Sequence, residues 1–511
     1  MNASKESLVR RIFSFDTRSL AVFRISLGVV LLIDLAMRWG TLEAMQADSG
    51  ILSLQTWSET VAAASNTPDP LGWSLHAVNG SLTWQIVLFV VALVSAALLT
   101  LGWFTRIATI VSWILLVSLH TRNPLILHSG DTFLRLLLFW GMFLPLGSMW
   151  SLDRKRKRDN EIASPLRICS GATVGLLLSI FSLYFFAGIA KLNDVWFSGQ
   201  AIAYVLQLDI YTTDIGRSMR GSTSLLKLFT WATLIGEILV PFFLFIAWRN
   251  DLFRWFCFVF FVGLHIGIAL CMDIGLFSYI SIAAWLVVIP TSFWNRWSKQ
   301  SATDSKTTNR QDVVQPQPVN WLSLTNLVLL FFAGYFLLWN AANIEHPFFK
   351  KLMPQSARVI GRWTNLRQAF TMFDVPPEHS PWFVYDARLA SGLHVDIFRG
   401  KPVDHERPDS VHATIPSHHW RRLHRNLVRS NFAKYRVPIV EYMVRRWNAN
   451  HGKDGQVVTC KTIAYLDEIS LDAEYSGTAS WVWHVHGAQA AEESVLDDVL
   501  KKMKDKGIIL P

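Results

Sequence analysis

Apolar runs about as long as a membrane is thick recur along this chain, and that recurrence limits the fold more than any single residue does. A helix needs about 20 predominantly apolar residues to cross the hydrocarbon core, where only a helix or a closed barrel satisfies its own backbone. Nine segments qualify: 20–39, 82–103, 106–122, 131–150, 167–191, 223–248, 252–272, 275–294 and 321–343. The third is short enough to be tilted or partly re-entrant. Charged residues make up 17% of the chain, against about 25% in a soluble domain. The 23 tryptophans and 33 phenylalanines suit membrane interfaces. The expected fold class is an all-α polytopic membrane protein of about nine transmembrane helices with a C-terminal extramembrane α+β domain.

The net charge of +10 reads as a topology signal rather than as a nucleic-acid surface, because the basic residues sit in short loops. Lys5, Arg10, Arg11 and Arg18 precede the first span, and Arg106 follows the second. The run RKRKR (Arg154–Arg158) separates the fourth and fifth, and Arg249 and Arg254 the sixth and seventh. Arg296, Lys299, Lys306 and Arg310 separate the last two. The loop 40–81 has no Lys or Arg, and 192–221 has only Arg217 and Arg220. The positive-inside rule then makes the N-terminus cytoplasmic and the tail external, in a multi-pass cell-membrane protein. Residues 1–297 form the helical body, 298–320 a polar cytoplasmic linker, 321–343 a last helix and 344–511 the outer domain. In that domain, 382–400 reads as a hairpin around Ser391-Gly392, 456–466 and 479–487 as strands, and 418–428 and 437–447 as helices. The four cysteines form no CxxC pair, and the tail histidines lack ligand spacing, so no metal is expected.

Ionisable groups inside spans are expensive and draw attention. They are Arg24, Asp34, Arg135, Glu237 and His265. Asp131 lies four residues before Arg135, where the two can pair, and follows Ser129-Gly130, where it would cap a helix. Glu237 has no partner on its own helix and needs Arg24, Arg135 or water, or must stay protonated. Arg24, Arg135 and Glu237 are therefore expected, with Asp131, to form a coupled structural group. His265 is either a hydrogen-bonded core histidine or a working group. Lys191 ends an apolar span, so it either snorkels to the headgroups or acts half-buried as a base. Tyr184, Gly188 and Lys191 share a helix face, and the glycine permits close approach of a helix or a flat ligand.

FAGIAKLNDVWFSG (186–199) resembles the lysine segment of the vitamin K-dependent gamma-carboxylases and the HTTM-domain membrane proteins related to them. HIGIALCMDIGLFSY (265–279) is similar to a second stretch, matching at His265, Ile274, Gly275, Phe277, Ser278 and Tyr279. Residues 127–153 resemble a third, ending in W-S-x-D at Trp150, Ser151 and Asp153. LRQAFTMFDVPP (366–377) is similar to the entry into the outer domain of the bacterial relatives.

The resemblance implies a gamma-glutamyl carboxylase-like lyase with a quinol cofactor, vitamin K hydroquinone or menaquinol. Lys191 would be the general base towards it, with His265 as the second catalytic candidate. Oxygen would convert the quinol to a strong base that deprotonates a glutamate, to which carbon dioxide adds. A family histidine falls around 128–131, where His128 and Asp131 stand; Tyr184, Gly188 and Trp196 would border the cofactor. The partners expected are the bilayer, a lipid quinol, and a peptide or protein at the outer face. The alternative is a non-catalytic maturation, secretion or immunity factor that binds a peptide or protein through the outer domain.

Overall fold

A computed structural model describes residues 8–65, 73–156, 166–302, 319–344, 347–366, 370, 374–471 and 478–485. The body contains, in chain order, α1 (Thr17–Trp39), α2 (Leu82–Leu101), α3 (Thr105–Arg122), α4 (Ser129–Gly141), α5 (Gly171–Ala190), α6 (Thr223–Leu239), α7 (Asn250–Cys271), α8 (Phe277–Trp285) and α9 (Leu324–Ala342). Side-chain oxygens start several of them: Asp16 accepts from Arg18 N, Ser81 from Trp84 N, Ser170 from Thr173 N and Ser323 from Asn326 N.

Each of the nine apolar segments contains a helix, but the structure supports the full count of nine spans only in part. Among the described residues six are long and apolar enough to cross a membrane: α1, α2, α5, α6 with its continuation to Phe245, α7 and α9. In α3, Arg106, His120 and Arg122, with five Thr and Ser, dilute the apolar content. The 13 residues of α4 reach only about 20 Å at 1.5 Å per residue, and α8 with its following turn stops before Pro290. The physical reason is clearest at α4, which is buried nearly all round. A helix apolar on every side suits a membrane or the middle of a protein, and its sequence does not separate the two. In α4 nearly every face meets protein. The indole of Trp140 enters a gap left by Gly175 on α5, where a Cβ would sit 2.1 Å from the ring, and donates to Ser179 Oγ at 2.8 Å.

The C-terminal domain is an antiparallel sheet of β1 (His379–Leu389), β2 (His394–Asp396), β3 (Lys401–Pro402), β4 (Val457–Glu468) and β5 (Thr478–Val485), ordered β3-β2-β1-β4-β5. The expected hairpin is present, with Gly392 at φ 87° in its turn. Helices α10 (His418–Leu427) and α11 (Arg436–Ala449) fall where the sequence placed them. Residues 486–487 of the last strand, most of the 298–320 linker and Gln368, Met372 and Phe373 lie outside the described residues.

The domain docks through buried polar contacts. Asp209, 1% exposed, accepts from Arg220, Arg407 and the Val411 backbone, and Arg407 also reaches Asp467 at 2.7 Å. Asp273 pairs with Arg421, and Asn426 donates to Leu125 O.

In the domain core His424 Nε2 lies 2.9 Å from Tyr385 Oη, and burial pushes the imidazole down to about 3. Below its ordinary value of 6.5 the unfolded chain takes up a proton that the folded domain refuses until about pH 3. Stability attributable to this group therefore falls as pH drops from 6.5 towards 3. The melting temperature should decline across that window, and His424→Gln should flatten the decline; an unchanged slope would show that His424 does not drive it.

Candidate functional site

Helix α5 is apolar along its length and ends at Lys191, whose N–H returns to Gly188 O. At Gly188 the backbone of α6 comes close. A Cβ there would lie 2.7 Å from Ile238 Cγ1 and 3.2 Å from the Glu237 carbonyl carbon. The contact sets Glu237 beside Lys191, Nζ to Oε2 2.7 Å. Lys191 is 2% exposed and also donates to Ala187 O at 3.2 Å. The Trp196 ring covers the ammonium, its centroid 5.3 Å from Nζ, and is fixed by donation from Nε1 to Asp374 O. The lysine therefore does not snorkel. Its partner is the carboxylate that the sequence left open.

Two turns before Lys191, Tyr184 Oη lies 2.7 Å from His265 Nε2 and accepts from Trp285 Nε1 at 2.8 Å. Its ring packs on Phe261 with centroids 3.9 Å apart. His265 Nδ1 has no partner among the described residues. Tyr184, Lys191, Glu237, His265 and Phe277 enclose a cavity of about 20 Å³, room for one water. Five of the expected site residues, Lys191, His265, Tyr184, Gly188 and Trp196, thus meet at one place. The glycine admits a helix there rather than a flat ligand.

His128 and Asp131 lie elsewhere. His128 caps α4, its Nδ1 accepting from Gly130 N, while Asp131 accepts from His128 N. The expected cap at Asp131 is thereby shifted three residues back, since both side chains bond reciprocally. Asp131 accepts from Arg38 Nη2 at 3.0 Å, and Arg38 Nε holds Asp34 at 2.8 Å. Arg135 donates to His120 Nδ1 and to Thr132. Arg24 donates to the backbone of Leu146 and Trp150. Arg135 and Asp131 share His120, whose Nε2 lies 3.4 Å from Asp131 Oδ1, whereas Arg24 and Glu237 have other partners, so the single coupled group expected of the four is divided. Arg38 and His120 were missed by sequence reasoning; the i, i+4 spacing of Asp34 and Arg38 was the available signal. Among the described residues no group of three or more His, Cys, Asp or Glu is placed to hold a metal ion.

The HTTM domain family matches residues 71–294. The chain carries an HTTM domain. The match runs from before α2 to beyond α8 and encloses Tyr184, Lys191, Glu237 and His265. It supports a membrane protein related to the vitamin K-dependent carboxylase family. Comparison with curated proteins and with solved structures gave no match. Within the HTTM domain the W-S-x-D stretch is a latch. Asp153 accepts from Phe104 N, Thr105 N and Thr105 Oγ1 at 2.9, 2.8 and 2.6 Å, capping α3. Trp150 O takes the guanidinium of Arg24 at 2.6 Å, beside Gly102, where a Cβ would collide with that side chain. Gly275, at φ 75°, turns the chain from α7 into α8 and delivers Phe277 to the His265 ring, with centroids 5.3 Å apart.

Replacing a helical glycine by alanine ordinarily gains about 1 kcal/mol. At Gly188 the new methyl overlaps α6, and overpacking of that kind costs about 1–3 kcal/mol. Gly188→Ala should therefore lower the melting temperature, read on the purified protein; a rise would mean that α5 and α6 are not held in contact there.

Proposed function

We propose that this protein is a membrane-embedded enzyme of carboxylase-like type in which Lys191 is the general base. The observation that carries the reading is the meeting of Lys191, Glu237, Tyr184 and His265 around one small buried cavity inside the HTTM domain. A buried base must expose a lone pair without stranding a charge. Proton transfer from Lys191 Nζ to Glu237 Oε2, across 2.7 Å, leaves an amine and a carboxylic acid, both neutral. The amine then accepts a proton from an acidic hydroxyl or carbon acid, and the ammonium formed balances the new anion. Tyr184 and His265 stand ready to hydrogen-bond that anion, held in place by Trp285.

The cofactor implied by the resemblance is a quinol. Its ring is larger than the space of about 20 Å³ beside Lys191, so no step is derived through it. The same small space supports the second reading, a non-catalytic partner whose Lys191–Glu237 pair serves packing alone.

Lys191→Arg separates the two readings. A guanidinium keeps the charge and can still pair, but stays protonated at any usable pH. The base reading expects a folded, inserted protein with activity reduced by about 10²-fold or more, followed as carbon dioxide incorporation into peptide glutamate or as complementation of a deletion strain. Full function would leave the packing reading in front.

We further propose that the N-terminus is cytoplasmic and the C-terminal domain external. Arg10, Arg167 and Arg254 gather at one end of the bundle, where Arg167 reaches Arg10 O and Arg254 reaches Ile12 O and Ser14 O. Asn193 and Trp196 meet Asp374 at the other. Reporter fusions after Asp159 and after residue 350 should report opposite compartments; the same compartment from both would overturn the assignment.

A further inference from the structure

We infer that the cavity between the helical body and the C-terminal domain is a binding site for a phosphate-class oxyanion. The cavity measures about 400 Å³, within the usual range for small-ligand pockets. It shares Phe277 with the inner cavity but is otherwise separate from it. Arg422, Arg425 and Arg429 line it, spaced i, i+3 and i+7 along α10 and just past its end, so they point the same way. Neighbouring arginines are matched to carboxylates: Arg421 to Asp273, Arg407 to Asp209 and Asp467, and Arg399 to Asp396. Among the described residues these three are not. Arg422 donates to Leu127 O at 2.9 Å, and Arg425 lies 5.8 Å over the Tyr211 ring. Asp374 is the one carboxylate among the described lining residues.

A second observation points to an occupant. His418 lines the same cavity, is 4% exposed, and has no hydrogen-bond partner for either ring nitrogen among the described residues. A buried polar group left unmatched carries a desolvation cost that a ligand removes. Burial pushes His418 down to about 3, so at neutral pH it offers one N–H and one acceptor without adding charge.

Three guanidinium forks and one imidazole exceed what a lone carboxylate can use, since it occupies a single fork. A phosphate group, with three or four oxygens and up to two charges, can engage all of them. The group could belong to a lipid head or to a soluble phosphate. The inference does not depend on Lys191 being a base.

The test uses the full chain purified in a non-ionic, phosphate-free detergent. Melting temperature is followed against inorganic phosphate, against micelles of short-chain phosphatidylglycerol, and against sodium chloride at matched ionic strength. Saturable stabilisation by phosphate, beyond the salt control, supports the inference with a soluble source. Stabilisation by phosphatidylglycerol alone supports it with a lipid source. Arg425→Gln/Arg429→Gln should weaken the apparent affinity by about tenfold or more, as loss of charge-assisted bonds does. These side chains are partly exposed, so the variant should melt like the parent without added anion. His418→Phe should weaken binding as well. The inference is overturned if neither phosphate probe exceeds the salt control, if the variants bind as the parent does, or if a glutamate-rich peptide binds where both probes fail.

Discussion

The Lys191–Glu237 pair is the constraint around which the helical body is arranged. Two charges taken out of water destabilise the fold unless they meet closely, and here they meet at 2.7 Å. That distance requires α5 and α6 to touch backbone to backbone, which only a residue without a side chain allows, and Gly188 supplies it. The Trp196 ring then closes the exposed side of the ammonium. Tyr184 continues the same face of α5 inward to His265 and Trp285. One helix face thus carries both the close contact that makes the pair affordable and the polar groups that surround it.

The other buried charges serve the scaffold. Arg24 ties α1 to the turn after α4, and Asp153 in that turn caps α3. Arg38 joins α1 to α4 through Asp34 and Asp131. Of the motif segments, W-S-x-D is therefore a structural latch. The stretch from His265 to Tyr279 sets Phe277 between the inner and outer cavities. The lysine segment and the stretch that begins at His265 both place ionisable groups at the inner cavity.

Much of this was legible from residue order. Runs of about 20 apolar residues gave the six long helices, and the Ser391-Gly392 turn gave the hairpin. Gly188 signalled a close approach, though not of what. Glu237 signalled a missing partner. Joining the two was beyond periodicity, since Lys191 and Glu237 lie 46 residues apart on different helices and nothing local records which faces meet. The short helix α4 reads as apolar on all sides, and that pattern is common to lipid-facing and protein-buried helices, so it does not record which neighbours cover it. No local pattern around Arg422, Arg425 and Arg429 records that a body lies opposite them. Nor does the sequence around His418 record that its ring is buried.

The central claim is that the pair exists for proton transfer and not for packing alone. Replacing a buried ion pair by apolar residues of similar volume is often neutral or stabilising, so Lys191→Met/Glu237→Leu should fold even though either single change strands a charge. Turnover by this double variant, set beside the parent at equal folded concentration, is the most direct measurement. The account predicts a parent-like melting temperature with activity abolished. A variant that melts like the parent and retains full activity would contradict it.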